Sequence, residues 1–168
     1  MNPGARTVVK IATFEVVRAE SGTIVTHALG SCIGLTVFDP MAQVGGMLHF
    51  MLPAPSPGAS TPSNLGPHAF ASAAVPELFR AVHALGGDKK RLIVCAAGGA
   101  ETLQAGSAMK IGPRNWTMLR KLLWKNNVAI AASDVAGQVS RNLSLDLCNG
   151  TVTVSKDGQS EVLWRPAA

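Results

Sequence analysis

The sequence predicts an α+β fold: a layered α/β sandwich of mostly antiparallel strands with two main helices, filling one domain from residue 1 to 168. Three observations predict it. Short runs rich in Val, Ile, Thr and Phe alternate with turn residues and include one hairpin pattern, the signature of antiparallel pairing. Only two stretches carry an apolar stripe at helical spacing. The chain is 47% hydrophobic and 15% charged over 168 residues, enough for one buried core and too little for two.

The elements follow in order. Thr7 to Arg18 reads as one strand, with Lys10 and Glu15 between apolar neighbours. Glu20-Ser21-Gly22 is a turn and Thr23 to Leu29 a second strand, ended by Gly30-Ser31. Ile33 to Phe38 is β-rich and stops at Asp39-Pro40; Val44 to Leu52 is the returning run. Residues 53–67 hold five of the ten prolines with Ser, Gly and Thr, and read as an exposed loop within the domain. His68 to Leu85 is helical by its stripe of Phe70, Ala74, Leu78, Val82 and Leu85. Pro76 inside that pattern predicts either a start or a kink there. Arg91 to Ala97 is a buried strand, and Pro113 to Asn127 the clearest helix, with Trp116, Leu119 and Leu123 inward. Val128 to Ala132 reads as a short buried strand. Leu143 to Ser155 reads as a hairpin turning at Asn149-Gly150, a pair suited to a type I′ turn because both positions need positive φ. Glu161 to Trp164 adds a last strand.

Composition narrows the function. Aromatics are 5%, with no tyrosine, which argues against modules that stack bases on aromatic platforms. The net charge of +5 is concentrated between Asp88 and Lys125, where eight basic residues face only Asp88 and Glu101. Such a stretch is a solvated face or a docking patch for an acidic partner; no recognition motif accompanies it, so nucleic acid is not expected. No segment is long and apolar enough for direct membrane insertion, and Met1 to Ala12 has no signal-peptide core, which predicts a cytoplasmic protein. The three cysteines, Cys32, Cys95 and Cys148, are odd in number and lack CxxC spacing, so neither a disulfide framework nor a zinc site is expected.

Cys95 and Cys148 read as small packing residues. Cys32 follows Leu29-Gly30-Ser31, where a strand meets a glycine turn. It is either a buried structural thiol or a nucleophile whose pKa the turn's free N–H groups lower, with Gly30 and Ser31 giving backbone support to an oxyanion. His49 is a polar residue in the apolar run Gly45 to Leu52: a core histidine bonded to a carbonyl, or a general base. Cys32 lies seven or eight residues before the Asp39-Pro40 turn and His49 nine or ten after it, so a hairpin brings both to the same end.

The segments Thr26-His27-Ala28-Leu29-Gly30-Ser31-Cys32-Ile33, Phe38-Asp39-Pro40 and Gly45-Gly46-Met47-Leu48-His49-Phe50-Met51-Leu52-Pro53 resemble the signature of the chemoreceptor glutamine deamidases, the CheD family. Gly98-Gly99-Ala100, Ile111-Gly112-Pro113-Arg114-Asn115 and Asp134-Val135-Ala136-Gly137 with Arg141 continue the likeness from about Val8 to Val154. The resemblance implies a nucleophile at Cys32, a histidine base at His49 and a third catalytic position at Thr26. It implies a layered fold similar to the catalytic domain of cytotoxic necrotizing toxins. The implied substrates are glutamines on the cytoplasmic helices of methyl-accepting chemotaxis receptors, and some members also act as methylesterases. The CheC phosphatase is an implied partner, and no metal or organic cofactor is implied. Arg114 and Asn115 are candidate substrate contacts. The sequence departs from the family pattern at Phe70-Ala71-Ser72 (commonly Tyr-Ala-Asp), at Cys95 (commonly Lys) and at Thr102-Leu103 (often Met-Phe).

The chemistry expected of these groups is hydrolysis of a side-chain amide through a thioester, with His49 moving the proton and Thr26 orienting the ring. A Cys–His pair alone also fits a receptor methylesterase or another thiol amidase. The departures keep open a binding module that docks receptors or CheC without catalysis.

Overall fold

A computed structural model describes residues 4–18, 20–60, 62–101 and 109–167; Thr102-Leu103, one of the departures above, lies outside the described residues. Among the described residues, ten strands form two five-stranded sheets, and two α-helices cover one of them. The first sheet has the order β1 (Arg6–Val8), β3 (Thr23–Leu29), β8 (Arg141–Asp146), β9 (Val152–Lys156), β10 (Gln159–Trp164). The second has the order β2 (Thr13–Arg18), β5 (Val44–Phe50), β4 (Ile33–Asp39), β6 (Ile93–Gly98), β7 (Ala132–Val135). The β1–β3 and β6–β7 pairs are parallel and the other pairs antiparallel, so the expected sandwich of mostly antiparallel strands with two helices is what forms.

The second sheet is the middle layer. Its outer face, Ile33, Leu35, Val37, Leu48 and Phe50, packs on Ala71, Ala74 and Leu78 of α1 (Ala71–Ala84) and on Leu119 and Leu123 of α2 (Ile111–Lys125). Its inner face, with Phe38, Met47, Cys95 and Ala97, packs on Ile24, Leu29, Leu143, Leu145 and Val154 of the first sheet. Every residue of β4 and β5 is buried, which is why both segments read as continuous apolar runs rather than alternating ones. Each large side chain buried in such a core contributes about 1.5–3 kcal/mol. The hairpin joining β4 and β5 is held at its far end by Asp39. Its carboxylate accepts from the N–H groups of Met41, Ala42 and Asp88 and pairs with Arg91.

Four local expectations are corrected. The run Thr7 to Arg18 is two strands in different sheets, with a corner whose Ala12 has φ 56°. The last parallel strand runs from Ala132 to Val135 rather than over Val128 to Ala132, with the Ala131 N–H on the Val94 carbonyl as its first bond to β6, while Val128 and Ile130 pack on the core beneath the helices. The β8–β9 hairpin exists, but Gly150 alone of the Asn149-Gly150 pair has positive φ, so its turn is not type I′. That geometry occurs one hairpin later, where Asp157 and Gly158, at φ 51° and 75°, join the paired Lys156 and Gln159. Cys148 is exposed in the β8–β9 loop and is not a packing residue. Pro76 lies within α1 and neither starts nor ends it. Among the described residues, 53–67 hold no helix or strand and are mostly exposed, and no helix is long and apolar enough to cross a membrane.

Candidate functional site

The site lies where β3, β4 and β5 end together. In the β4–β5 ladder Gly34 stands opposite His49, and Ile33 opposite Phe50 is the last pair. Cys32 immediately precedes β4, and its carbonyl accepts the Gly99 N–H at 2.8 Å, continuing the β4–β6 pairing by one bond. Side chains two residues apart share a face of a strand. Cys32 therefore falls on the side of Gly34 and His49, diagonally across from the imidazole and facing the first sheet.

Thr26 enters from that sheet. Its Oγ1 donates to the Val9 carbonyl at 2.8 Å and also lies 2.8 Å from His49 Nδ1. A hydroxyl has one proton to give. With that proton on Val9, Oγ1 accepts from His49, so Nδ1 carries the hydrogen and Nε2 the lone pair. Nε2 is buried and has no hydrogen-bond partner among the described residues, the Cys32 thiol included. An orphaned acceptor in a buried position has a desolvation cost that a purely structural histidine would avoid.

Burial also sets the charges. It pushes the Cys32 thiol up to about 11, against the smaller lowering effect of its own N–H. It pulls His49 down to about 4. The expectation that turn N–H groups lower the thiol pKa is thus corrected, since desolvation outweighs them. At neutral pH the resting pair is thiol and neutral imidazole, not thiolate and imidazolium.

The turn bearing Cys32 is clamped through its carbonyls. Gly30 C=O accepts from Ala100 N–H at 2.8 Å, Ser31 C=O from Asn115 Nδ2 at 2.9 Å, and Cys32 C=O from Gly99 N–H. No carbonyl among the described residues takes the N–H of Ser31 or Cys32. Glycine is required at two contacts of the clamp. A Cβ on Gly98 (φ 114°) would lie 2.2 Å from the Cys32 carbonyl oxygen, and one on Gly112 would lie 2.4 Å from that of Gly99. The turn is entered through Ala28, at φ 58°, whose N–H is held by Asn142 Oδ1 at 3.0 Å opposite a bulge in β3.

Sequence reasoning singled out Thr26, Cys32, His49, Gly30 and Ser31; a hydrogen bond joins Thr26 to His49, and Gly30, Ser31 and Cys32 form the turn leading into β4, the strand paired with the one that carries His49. Arg114 is exposed and lines a surface depression of about 480 Å³ with Lys110, Lys121 and the Pro53–Pro57 segment. Asn115 is fully buried and donates its Nδ2 hydrogens to the carbonyls of Ser31 and Met51, so it has no exposed surface to offer a substrate. Arg91 is engaged by Asp39 and Asp88 and does not join the basic face. Val9, Asn142 and the carbonyl clamp were missed. Val9 acts through its backbone and left no signal, whereas Gly98-Gly99-Ala100 stood out as a motif without a role and Ile111 to Asn115 as one whose Arg114 and Asn115 were expected to meet substrate. Among the described residues no group of three or more His, Cys, Asp or Glu side chains could hold a metal ion.

Comparison with known proteins identifies a family. Residues 51–156 match the family model described as CheD chemotactic sensory transduction. The chain is 40% identical, over 90% of its length and 94% of the relative's, to the "Probable chemoreceptor glutamine deamidase CheD 1" of Syntrophus aciditrophicus (strain SB). It is 38% identical to a protein named "Probable chemoreceptor glutamine deamidase CheD" from Solibacter usitatus (strain Ellin6076), over 93% of this chain and 92% of that one. It is 44% identical to the "Probable chemoreceptor glutamine deamidase CheD 2" of Anaeromyxobacter dehalogenans (strain 2CP-C), over 81% and 85%. On these matches, of which the family model covers the part of the chain after Thr26, Cys32 and His49, the chain belongs to the CheD family.

Proposed function

We propose that this chain is a protein-glutamine glutaminase that deamidates glutamines on the cytoplasmic helices of chemotaxis receptors, with Cys32 as nucleophile and His49 as proton carrier. The observation that carries the reading is the Thr26–His49 hydrogen bond, which fixes one tautomer and leaves a buried Nε2 lone pair on the face that Cys32 shares. The family matches and the names of the relatives support the substrate class.

The steps follow from the groups. As Sγ attacks the glutamine carbonyl carbon, its proton passes to His49 Nε2. The carbonyl oxygen becomes an oxyanion, and the N–H groups of Ser31 and Cys32, which no carbonyl among the described residues takes, are the donors available to it. The imidazolium then protonates the amide nitrogen, the C–N bond breaks and ammonia leaves a thioester. Water attacks the thioester while His49 takes one of its protons. Collapse of the second tetrahedral intermediate expels the sulfur, which regains that proton, and releases glutamate. The sum is glutamine plus water to glutamate plus ammonia. Because the resting pair is neutral, proton transfer and attack proceed together rather than from a stored ion pair. The exposed Lys110, Arg114 and Lys121 offer a basic border for acidic residues on a receptor helix, and docking of CheC remains part of this proposal.

The test is the intact mass of a receptor cytoplasmic fragment before and after incubation with the protein. Deamidation adds about one dalton per site, whereas methyl-ester hydrolysis removes the mass of a methylene. An unchanged mass would favour a docking protein without catalysis. Thr26→Val serves as the companion variant, because it keeps the shape of the side chain but leaves His49 Nδ1–H and the Val9 carbonyl unpaired. A neutral hydrogen bond of about 1–2 kcal/mol corresponds to a kcat loss of roughly fivefold to thirtyfold. Thr26→Ser should retain most of the rate, and a Thr26→Val enzyme at full rate would remove Thr26 from the site.

A further inference from the structure

The β4–β5 ladder ends one residue short of Cys32, at Ile33 opposite Phe50. Beyond that pair, ladder hydrogen bonds between β4 and β5 no longer hold the nucleophile's segment in register with the strand that carries His49. A single side chain bridges the gap. Asn115, in the second turn of α2, donates its Nδ2 hydrogens to the Ser31 carbonyl at 2.9 Å and the Met51 carbonyl at 2.8 Å. Ser31 precedes Cys32, and Met51 lies two residues after His49. One planar carboxamide thus spans the two chain segments that bear the reacting side chains.

We propose that Asn115 is a positioning residue for deamidation: its carboxamide fixes the Cys32 turn against the end of β5, setting the approach of thiol to imidazole and the direction of the Ser31 and Cys32 N–H groups. The proposal rests on the reading of Cys32 as nucleophile. Three further observations support it. Asn115 is fully buried, so its orientation is not averaged by solvent. Its Oδ1 is buried with no partner among the described residues, a cost accepted for placing both amide hydrogens on the two carbonyls. The base of α2 sits close against the turn, since a Cβ on Gly112 would lie 2.4 Å and 2.6 Å from the carbonyl oxygens of Gly99 and Ala100, whose own N–H groups hold Cys32 and Gly30. The Ser31 bond pulls the middle carbonyl of the turn toward the helix, so the peptide's other side, with the N–H of Cys32, turns away from it.

The test uses the full chain and a receptor cytoplasmic fragment, with kcat and KM read from intact mass. Asn115→Ala is expected to lose about ten- to a hundredfold in kcat, with KM within about twofold, at a temperature where circular dichroism shows it folded. A role in stability alone would lower the melting temperature and leave kcat of the folded protein unchanged. Asn115→Asp adds a readout that packing would not move. Its carboxyl is the same shape, but ionised it donates to neither carbonyl and protonated it donates to one. Its kcat should therefore climb as pH falls, opposite to the wild-type trend. If folded Asn115→Ala keeps kcat within twofold while Cys32→Ala is inactive, the positioning role is overturned and the nucleophile stands. If Cys32→Ala is itself active, both are overturned. Should Asn115→Ala fail to fold, an Asn115→Asp variant whose kcat does not recover at lower pH overturns the proposal.

Discussion

Cys32→Ala is expected to lower receptor deamidation by about ten-thousand-fold or more, while Cys95→Ala and Cys148→Ala keep nearly the full rate. The three thiols occupy different environments, and the environments decide the outcome. Cys148 is exposed in a hairpin loop and touches nothing catalytic. Cys95 is fully buried on the inner face of β6, where burial raises its pKa to about 11, and a small thiol among apolar neighbours there acts as a packing group. Its replacement should cost about 1 kcal/mol of stability and little activity. Cys32 alone is partly exposed, with a buried histidine lone pair on its own face and, beside it, N–H groups that no carbonyl among the described residues takes. Removing the sulfur removes the atom that forms the thioester, and His49 cannot substitute by activating water at the same carbon with comparable efficiency. The measurement is the rate of mass gain on the receptor fragment for each single variant. Full activity in Cys32→Ala would end the thioester mechanism.

The parts of this site that were legible in the sequence are those that depend on period and turn chemistry. Asp39-Pro40 between two apolar runs announced a hairpin, and counting from it put Cys32 and His49 at one end. Thr26 came from a resemblance, since a threonine in a β-rich run carries no signal of its own. What stayed hidden acts through the backbone. The Val9 carbonyl that takes the Thr26 proton sits in a corner between two sheets, and the run Thr7 to Arg18 showed no glycine or proline to mark that corner. Ala12 adopts positive φ there without a residue type that advertises it. Asn115 was visible as part of a motif, but whether an asparagine meets a substrate or two carbonyls depends on a helix packing against a turn some eighty residues earlier, a contact no local pattern encodes. Arg91 shows the reverse case. Counted with a basic stretch, it proves to belong to the Asp39 anchor and leaves a smaller exposed face around α2.

His49→Gln is expected to lower kcat by about a thousandfold, the size of a lost general acid–base, and to do so with a pH signature that packing changes cannot imitate. Burial holds His49 at about 4 and Cys32 at about 11. The wild-type kcat/KM, which reports the free enzyme, should therefore stay level across neutral pH and fall only as pH drops toward about 4, where His49 gains a proton and can no longer accept one. A thiolate–imidazolium enzyme would instead show a thiol titrating well below its ordinary value. Alkylation of Cys32 by iodoacetamide should be slow at neutral pH and rise toward about 11. Stability gives an independent reading. The unfolded chain's His49 binds a proton near its ordinary 6.5 and the folded chain's only near about 4. Between these values the unfolded state holds more protons, so stability must fall as pH falls through that window. Asp39 adds a separate loss at lower pH. Burial would raise its pKa, but the hydrogen bonds from Arg91 and from the N–H groups of Asp88, Ala42 and Met41 win and hold it at about 2, against an ordinary 3.8. Melting temperatures across pH should then show His49→Gln without the loss between 6.5 and about 4, and with the loss between 3.8 and about 2 intact. If wild type and His49→Gln melt in parallel through the upper window, or if the wild-type acid limb of kcat/KM lies near 6.5, the buried neutral imidazole is not the group that carries the proton.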